Sequence, residues 1–253
     1  MITNLFNTFF YNPIYNILVF LIHIIPTGDV GVAVVIITLA VRFILLPLSL
    51  SAARTQHMMS SLTPHLNKIK EKHKDNKEQQ AKETMALYKE MNVNPFSSFI
   101  VMFLQIPILL ALYMVFLYGA LPHIDSKILY SFVSAPTTIS MNFLGIFHMA
   151  SKSMILAAFA GITQYFQATL TLTRTKTTQQ TGKMKDISKI MNSQIRFVFP
   201  IIIAVVAYST SGAIALYFVA TNLFGIFQEK YLQRLLANIK TGVPTVSDTK
   251  KIS

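Results

Sequence analysis

Apolar residues along this chain fall into long blocks, separated by two polar stretches, one mixed loop and a polar tail. The blocks are Val30–Leu50, Phe96–Leu121, Ser153–Leu172 and Phe197–Gln228. Each of the first three is the length of one membrane-crossing helix, about 20 residues. The fourth contains no charge, and is too long for one upright helix and short for two at about 1.5 Å per residue. Its middle, Tyr208-Ser-Thr-Ser-Gly212, has turn composition, and Arg196 before it and Lys230 and Arg234 after it put basic residues at both ends. Basic residues mark the cytoplasmic side, so two short helices over 197–208 and 213–233 are predicted.

The polar stretch 51–94 is patterned as well. Thr63-Pro64 reads as a helix start, with threonine at the N-cap and proline at the first position. Leu66, Ile69 and His73 then recur at helical spacing. After the charged turn Lys74–Lys77, a second stripe of Ala81, Met85, Tyr88 and Met91 follows. Two amphipathic helices joined by a short turn predict an antiparallel hairpin. Before the first span, Pro13–Pro26 is apolar but too short to cross, and a helix lying in the membrane interface is expected there. It lacks a basic leading region and a small-residue cleavage site, which argues against a cleaved signal peptide. In loop 122–152, Ser134–Asn142 reads as turn and Phe143–His148 as a segment dipping into the interface.

Composition agrees: 53% of the residues are hydrophobic, only 13% are charged, and mean hydropathy is +0.50. That places the chain among all-α integral membrane proteins. The net charge of +12 is unevenly spread. Nineteen Lys and Arg fall in 51–94, 173–196 and 229–253, against Lys127 and Lys152 alone in 1–29 and 122–152. The asymmetry predicts the N-terminus outside and the C-terminus inside. The expected organisation is therefore an extracytoplasmic N-terminus (1–29) and spans at 30–50, 95–121, 153–172, 197–208 and 213–233. A cytoplasmic hairpin (51–94), an outer loop (122–152), an inner loop (173–196) and a cytoplasmic tail (234–253) join or follow them.

Candidate chemistry centres on Arg42, the one basic residue inside a span. A charge there costs roughly 2.5–3.5 kcal/mol on insertion scales, and no Asp or Glu lies within any apolar block. Such an arginine is expected to face water or substrate. Thr38 and Ser49 share its helix face; Gln105 stands alone in the second block. Gln164, Gln167 and Thr171 form a stripe on the third, and Tyr217, Thr221, Asn222, Gly225 and Gln228 form another on the last. Together they predict a wet, positive groove open to the cytoplasm, set against a plain reading as interhelical hydrogen bonds. Nothing looks catalytic. Metalloprotease, nucleophile-elbow and phosphate-loop motifs are absent, the six histidines are scattered, and there is no cysteine. No cofactor, no metal and no enzymatic activity are expected.

Four segments together resemble the YidC/Oxa/Alb membrane protein insertases: VVIITLAVRFILLPLSL (34–50), LTPHLNKIKEKHKD (62–75), LYKEMNVNPFSSFIVMFLQIPILLALYMVF (87–116) and FPIIIAVVAYSTSGAIALYFVATNLFGIFQEKY (199–231). Asn94-Pro95, Leu104-Gln105-Ile106-Pro107 and Ala215-Leu216-Tyr217 are specific in order and spacing. The resemblance covers most of residues 5–233. It implies five spans around a hydrophilic groove open to cytoplasm and lipid, with the family's arginine at Arg42. The third-span glutamine falls on Gln164 or Gln167, Gln167 preferred, and Phe218 stands where relatives carry an aromatic. Met58, Met59, Met85 and Met91 offer adaptable apolar contacts for substrate capture by the hairpin.

The implied partners are nascent membrane proteins and the lipid bilayer, with the Sec translocon, the ribosome and the signal-recognition-particle receptor beyond them. Nucleic acid is expected only through the ribosome, and the implied location is the cell (inner or plasma) membrane. Set against some relatives, the sequence is expected to lack a large extracytoplasmic domain, an extra N-terminal span and a lipid-modified cysteine, and to carry only a short, moderately basic tail. The competing readings are a small-solute or anion transporter, disfavoured by the absence of internal repeats, and a lipid scramblase.

Overall fold

In a computed structural model of the chain, residues 2–94, 96–117, 121–175 and 190–239 are described. They form helices α1 (Ile2–Phe6), α2 (Asn12–Ile24), α3 (Val30–Ile44), α4 (Leu46–Ser61), α5 (Thr63–Lys72), α6 (Lys77–Glu90), α7 (Ser97–Leu117), α8 (Met154–Thr175), α9 (Phe199–Ser209) and α10 (Gly212–Ile239). Five-residue π turns, Asn7–Tyr11 and Gln194–Val198, precede α2 and α9. Only Asn142–Phe143 (β1) and Phe147–His148 (β2) pair as strands, in an antiparallel hairpin. The expectations for 176–189 of the inner loop, for 240–253 of the tail, and for Pro95 and 118–120 at the ends of the second span lie outside the described residues.

The protein is all-α and built for a membrane. Asn4–Ile24, Met154–Thr173 and Ile190–Ser209 are long and apolar enough to cross one, as are α3 and α4 if counted as a single bent span; α7 contributes the shorter apolar run Phe103–Leu117. Large apolar side chains on α8 and α9, such as Phe159, Ile162, Phe166, Ile201 and Val205, are half or more exposed and present a lipid-facing surface. The fourth block breaks at its turn residues: α9 ends at Ser209, Thr210 leaves the helical region, and α10 begins at Gly212, but the helices on either side, Ile190–Ser209 and Gly212–Ile239, are longer than the expected 197–208 and 213–233.

Three expectations need correction. The first span does not run straight from Val30 to Leu50; the helix breaks at Leu45 and turns by 57°, so 46–61 form the separate helix α4. Pro47, in the first turn of α4, has no N–H to continue the α3 ladder. Thr63 does not cap a new helix: Leu62 occupies the cap with helical backbone and no side-chain cap bond, so α4 passes into α5 almost without interruption. The N-terminal apolar helix is 21 residues long, not the short Pro13–Pro26 segment. It is docked on the bundle rather than free: Leu18, Val19 and Ile22 are buried with Val30, Ala33 and Val34 of α3. Asn16, 1% exposed, accepts from the Tyr130 amide (2.6 Å) and donates to the Ile128 carbonyl (2.8 Å).

Burial is concentrated at one end of the bundle, where loop 121–153 lies. Residues 30–37 of α3, 111–115 of α7, 156–160 of α8 and 213–218 of α10 hold most of the core. The loop fastens this end. Asp29 caps α3 by accepting from the Val32 amide (3.0 Å) and holds the β turn through the Leu144 amide (2.8 Å). Gly28 adopts φ +61°, where a side chain would strike the Thr138 carbonyl. The N-terminus of α10 donates to the loop through Gly212 and Ala213, onto the Ser151 and Met149 carbonyls.

The opposite end carries the hairpin. Asn76 caps α6 through the Gln79 amide (3.0 Å), confirming the predicted turn. Glu83 on α6 bonds Lys72 (3.2 Å) and His73 (2.8 Å), the last residues before the turn, and so pins α6 to α5. The Lys72 bond, with His73 beside it, holds the Glu83 carboxyl below the usual carboxylate range. Neither helix buries a single side chain. The hairpin is an appendage to the bundle, not part of its core.

Candidate functional site

Just beyond the packed end, α3, α7 and α10 separate around a cleft, and their polar residues meet there. Thr38 and Arg42 come from α3, Gln105 from α7 and Tyr217 from α10; Ile14 of α2 and four apolar residues of α3 and α7 complete the lining. Thr38 and Arg42 share a face because they are one helical turn apart. Gln105 donates its amide to the Tyr217 hydroxyl, which fixes both side chains. The Gln105 carbonyl oxygen is buried without a partner. The Thr38 hydroxyl is spent on its own helix, donating to the Val34 carbonyl at 2.6 Å.

Arg42 has no acidic partner: all three ion pairs among the described residues lie on the hairpin. The cleft therefore holds an unneutralised guanidinium and an unpaired carbonyl acceptor in apolar walls. The expected wet groove is, in this state, narrow: its volume is about 10 Å3, the room one water needs.

The other nominated residues are placed elsewhere. Asn222, 1% exposed, donates to the Ala160 carbonyl and the Thr163 hydroxyl, both at 3.1 Å, clamping α10 to α8. Gln167 packs directly on Gly225, where any added side chain would collide with its amide. The Gln167 side chain thus fills the space left open at Gly225 between α8 and α10. Gln164 is half-buried on α8 and does not line the cleft. Phe218 is buried and meets Tyr217 edge to face at 5.6 Å, so it supports a cleft residue without entering the cleft. On the appendage, Met58 and Met85 are 41% and 52% exposed, while Met59 and Met91 are half-buried.

Replacing Asn222 with leucine should therefore weaken α8–α10 packing. Interhelical hydrogen bonds in membrane proteins contribute about 0.6 kcal/mol on average and up to about 1.7. A melting temperature in detergent lower by a few degrees is expected; an unchanged one would show that the clamp contributes nothing.

Sequence reasoning missed Ile14, because one isoleucine among many in an apolar helix carries no signal of which cleft it lines.

Comparison with known proteins agrees with this architecture. Residues 16–239 match the family described as 60Kd inner membrane protein. The chain is 30% identical over 211 residues to the membrane protein insertase YidC of Clostridium tetani, covering 83% of this chain and 84% of that one. It is 27% identical over 229 residues to that of Fusobacterium nucleatum, covering 90% and 98%. The insertase of Buchnera aphidicola is 29% identical over 230 residues, covering 90% of this chain but 38% of the longer relative.

Proposed function

This chain belongs to the 60Kd inner membrane protein family, the YidC/Oxa/Alb insertases, and from that premise we propose that it inserts nascent membrane proteins by passing their polar tails through the Arg42 cleft. It is a helical protein of the cell membrane. The observation that carries the proposal is the meeting of Arg42, Gln105 and Tyr217 with no carboxylate of the described residues beside them. A tail crossing hydrocarbon exposes backbone N–H and C=O groups that cost several kcal/mol each when unsatisfied. A guanidinium and an unpaired carbonyl side by side can bond both kinds of group in transit. The same guanidinium attracts acidic side chains, and low-dielectric walls strengthen that attraction.

In this proposal the loop-covered end is extracytoplasmic and sealed, and the hairpin end is cytoplasmic, following the charge asymmetry. Five spans form the core: α3 with its bent continuation, α7, α8, α9 and α10. The N-terminal helix lies against them from the outer side. The cleft widens when substrate enters, and burial of the substrate's own apolar helix, at about 25 cal/mol per Å2, drives the step. No nucleotide and no catalytic residue are needed. Nascent membrane proteins and bilayer lipid are the partners proposed; the Sec translocon, the ribosome and the signal-recognition-particle receptor join them through the family resemblance alone.

The test is reconstitution of the purified protein in liposomes with a small single-spanning substrate bearing an acidic tail. Protease-protected substrate well above that in protein-free liposomes is expected. Protection no greater than in protein-free liposomes would reject insertase activity. Anion uptake or flip of a fluorescent lipid by the same vesicles would then separate the transporter from the scramblase.

A further inference from the structure

A second cavity, sharing no lining residue with the Arg42 cleft, lies between the last turns of α8 and the π turn before α9. It is far larger, about 290 Å3, and its polar lining is Thr169, Thr173, Asn192, Ser193 and Arg196. Two of the polar atoms there are buried without a hydrogen-bond partner: the Arg196 Nε and the Thr169 hydroxyl. Thr173 is already committed, donating to the Thr169 carbonyl at 2.8 Å. The rings of Tyr165 and Phe197, themselves 5.8 Å apart, both lie against the guanidinium, at 5.8 and 5.6 Å from its carbon. None of the ion pairs among the described residues involves it. The π turn adds a residue to the helical repeat at this point, a device frequent at functional sites.

We propose that this cavity binds the phosphate group of an anionic phospholipid in the leaflet at the hairpin end of the bundle. A planar fork of N–H donors matches phosphate oxygens two at a time, and the Thr169 hydroxyl supplies a further donor. Around the cavity, Phe166, Ile190, Met191 and Phe197 are each more than half exposed. A free anion would leave these apolar side chains uncovered, whereas the acyl chains of a lipid would cover them. Segment 173–196 carries six Lys and Arg against one Asp, and basic pockets between membrane helices on the cytoplasmic side hold anionic headgroups. Among the described residues, no carboxylate lines the cavity to pair with the cationic headgroup of a zwitterionic lipid.

The full chain, purified and delipidated in detergent, would be offered phosphatidylglycerol and phosphatidylcholine in equal amounts, and retained lipids would be counted by native mass spectrometry. Wild type should retain phosphatidylglycerol preferentially. Arg196→Gln should reduce that preference by about tenfold, the scale of a lost charge-assisted hydrogen bond. Arg196→Lys, which keeps charge but loses the fork, should reduce it less, and Thr169→Val, which removes only a hydroxyl, should also lower it. These two milder variants read the same site if Arg196→Gln does not fold. Equal retention by wild type and variants would overturn the proposal. So would displacement of phosphatidylglycerol from wild type by inorganic phosphate or by a short acidic peptide at comparable concentration.

Discussion

Arg42→Ala should cut insertion of an acidic-tailed, single-spanning substrate by about tenfold or more, with no loss of thermal stability. The two halves of this expectation have one cause. Arg42 sits in a mostly apolar cleft where no carboxylate among the described residues neutralises it, so its charge carries a desolvation cost that alanine removes. The fold should be as stable without it, and lost activity can be read as lost chemistry. What disappears is the donor for tail carboxylates and backbone carbonyls; hydrogen bonds to a charged group contribute about 1.5–3 kcal/mol, or roughly one to two factors of ten. Arg42→Lys should retain part of the activity, because a point charge remains but the fork is gone. Protease protection in liposomes, with acidic and neutral tails compared, measures all of this. Equal insertion by wild type and Arg42→Ala for the acidic tail would remove Arg42 from the mechanism and leave it a hydration or packing device.

Deleting residues 56–92 should abolish insertion while the spans remain folded. The structure makes this a clean experiment. Neither α5 nor α6 buries a side chain, and the core lies at the opposite end of the bundle. The deletion does remove Leu62, 3% exposed, from the junction of α4 and α5. A milder variant, Met58→Gln with Met85→Gln, therefore tests capture without touching that contact. Both methionines are substantially exposed, and flexible thioethers suit varied apolar partners. The double variant should slow insertion several-fold, with the deletion giving the larger loss. Helical content of the deleted protein, followed by circular dichroism in detergent, should fall only by the share of the removed helices. Normal insertion by the deletion variant would reject hairpin capture.

The pattern of the chain by itself determined the class of the protein and the ends of several elements. Apolar blocks of bilayer length leave the chain few stable alternatives to helices, because backbone groups in lipid must bond within their own segment. The Tyr208–Gly212 break, the Asn76 turn and the hairpin were legible for the same local reason: turn residues and caps act on their immediate neighbours. Arg42 was legible because a lone charge in an apolar block has no local explanation. The bend at Leu45 was not, since Leu46-Pro47 reads equally well as the interior of a span or as its interruption. The length of the N-terminal helix was underestimated because Pro13, which sits in the first turn of α2, is compatible with a continuing helix as well as with a boundary.

Tertiary structure alone decided which polar residues share a site. Gln105, Tyr217, Asn222 and Gln167 looked alike on their helical stripes. Packing sent the first two into the Arg42 cleft and turned Asn222 and Gln167 to joining α8 and α10. It also gave Arg196, in sequence only a charge marking the inner side of a span, two aromatic walls and a cavity. The physical reason is range. Helix formation and capping are settled within a turn or two of the chain. Which faces of two helices meet depends instead on the sizes of residues far apart in sequence, such as Gly161 of α8, where an added Cβ would come within 3.0 Å of the Ala204 side chain of α9, and no local pattern records that fit.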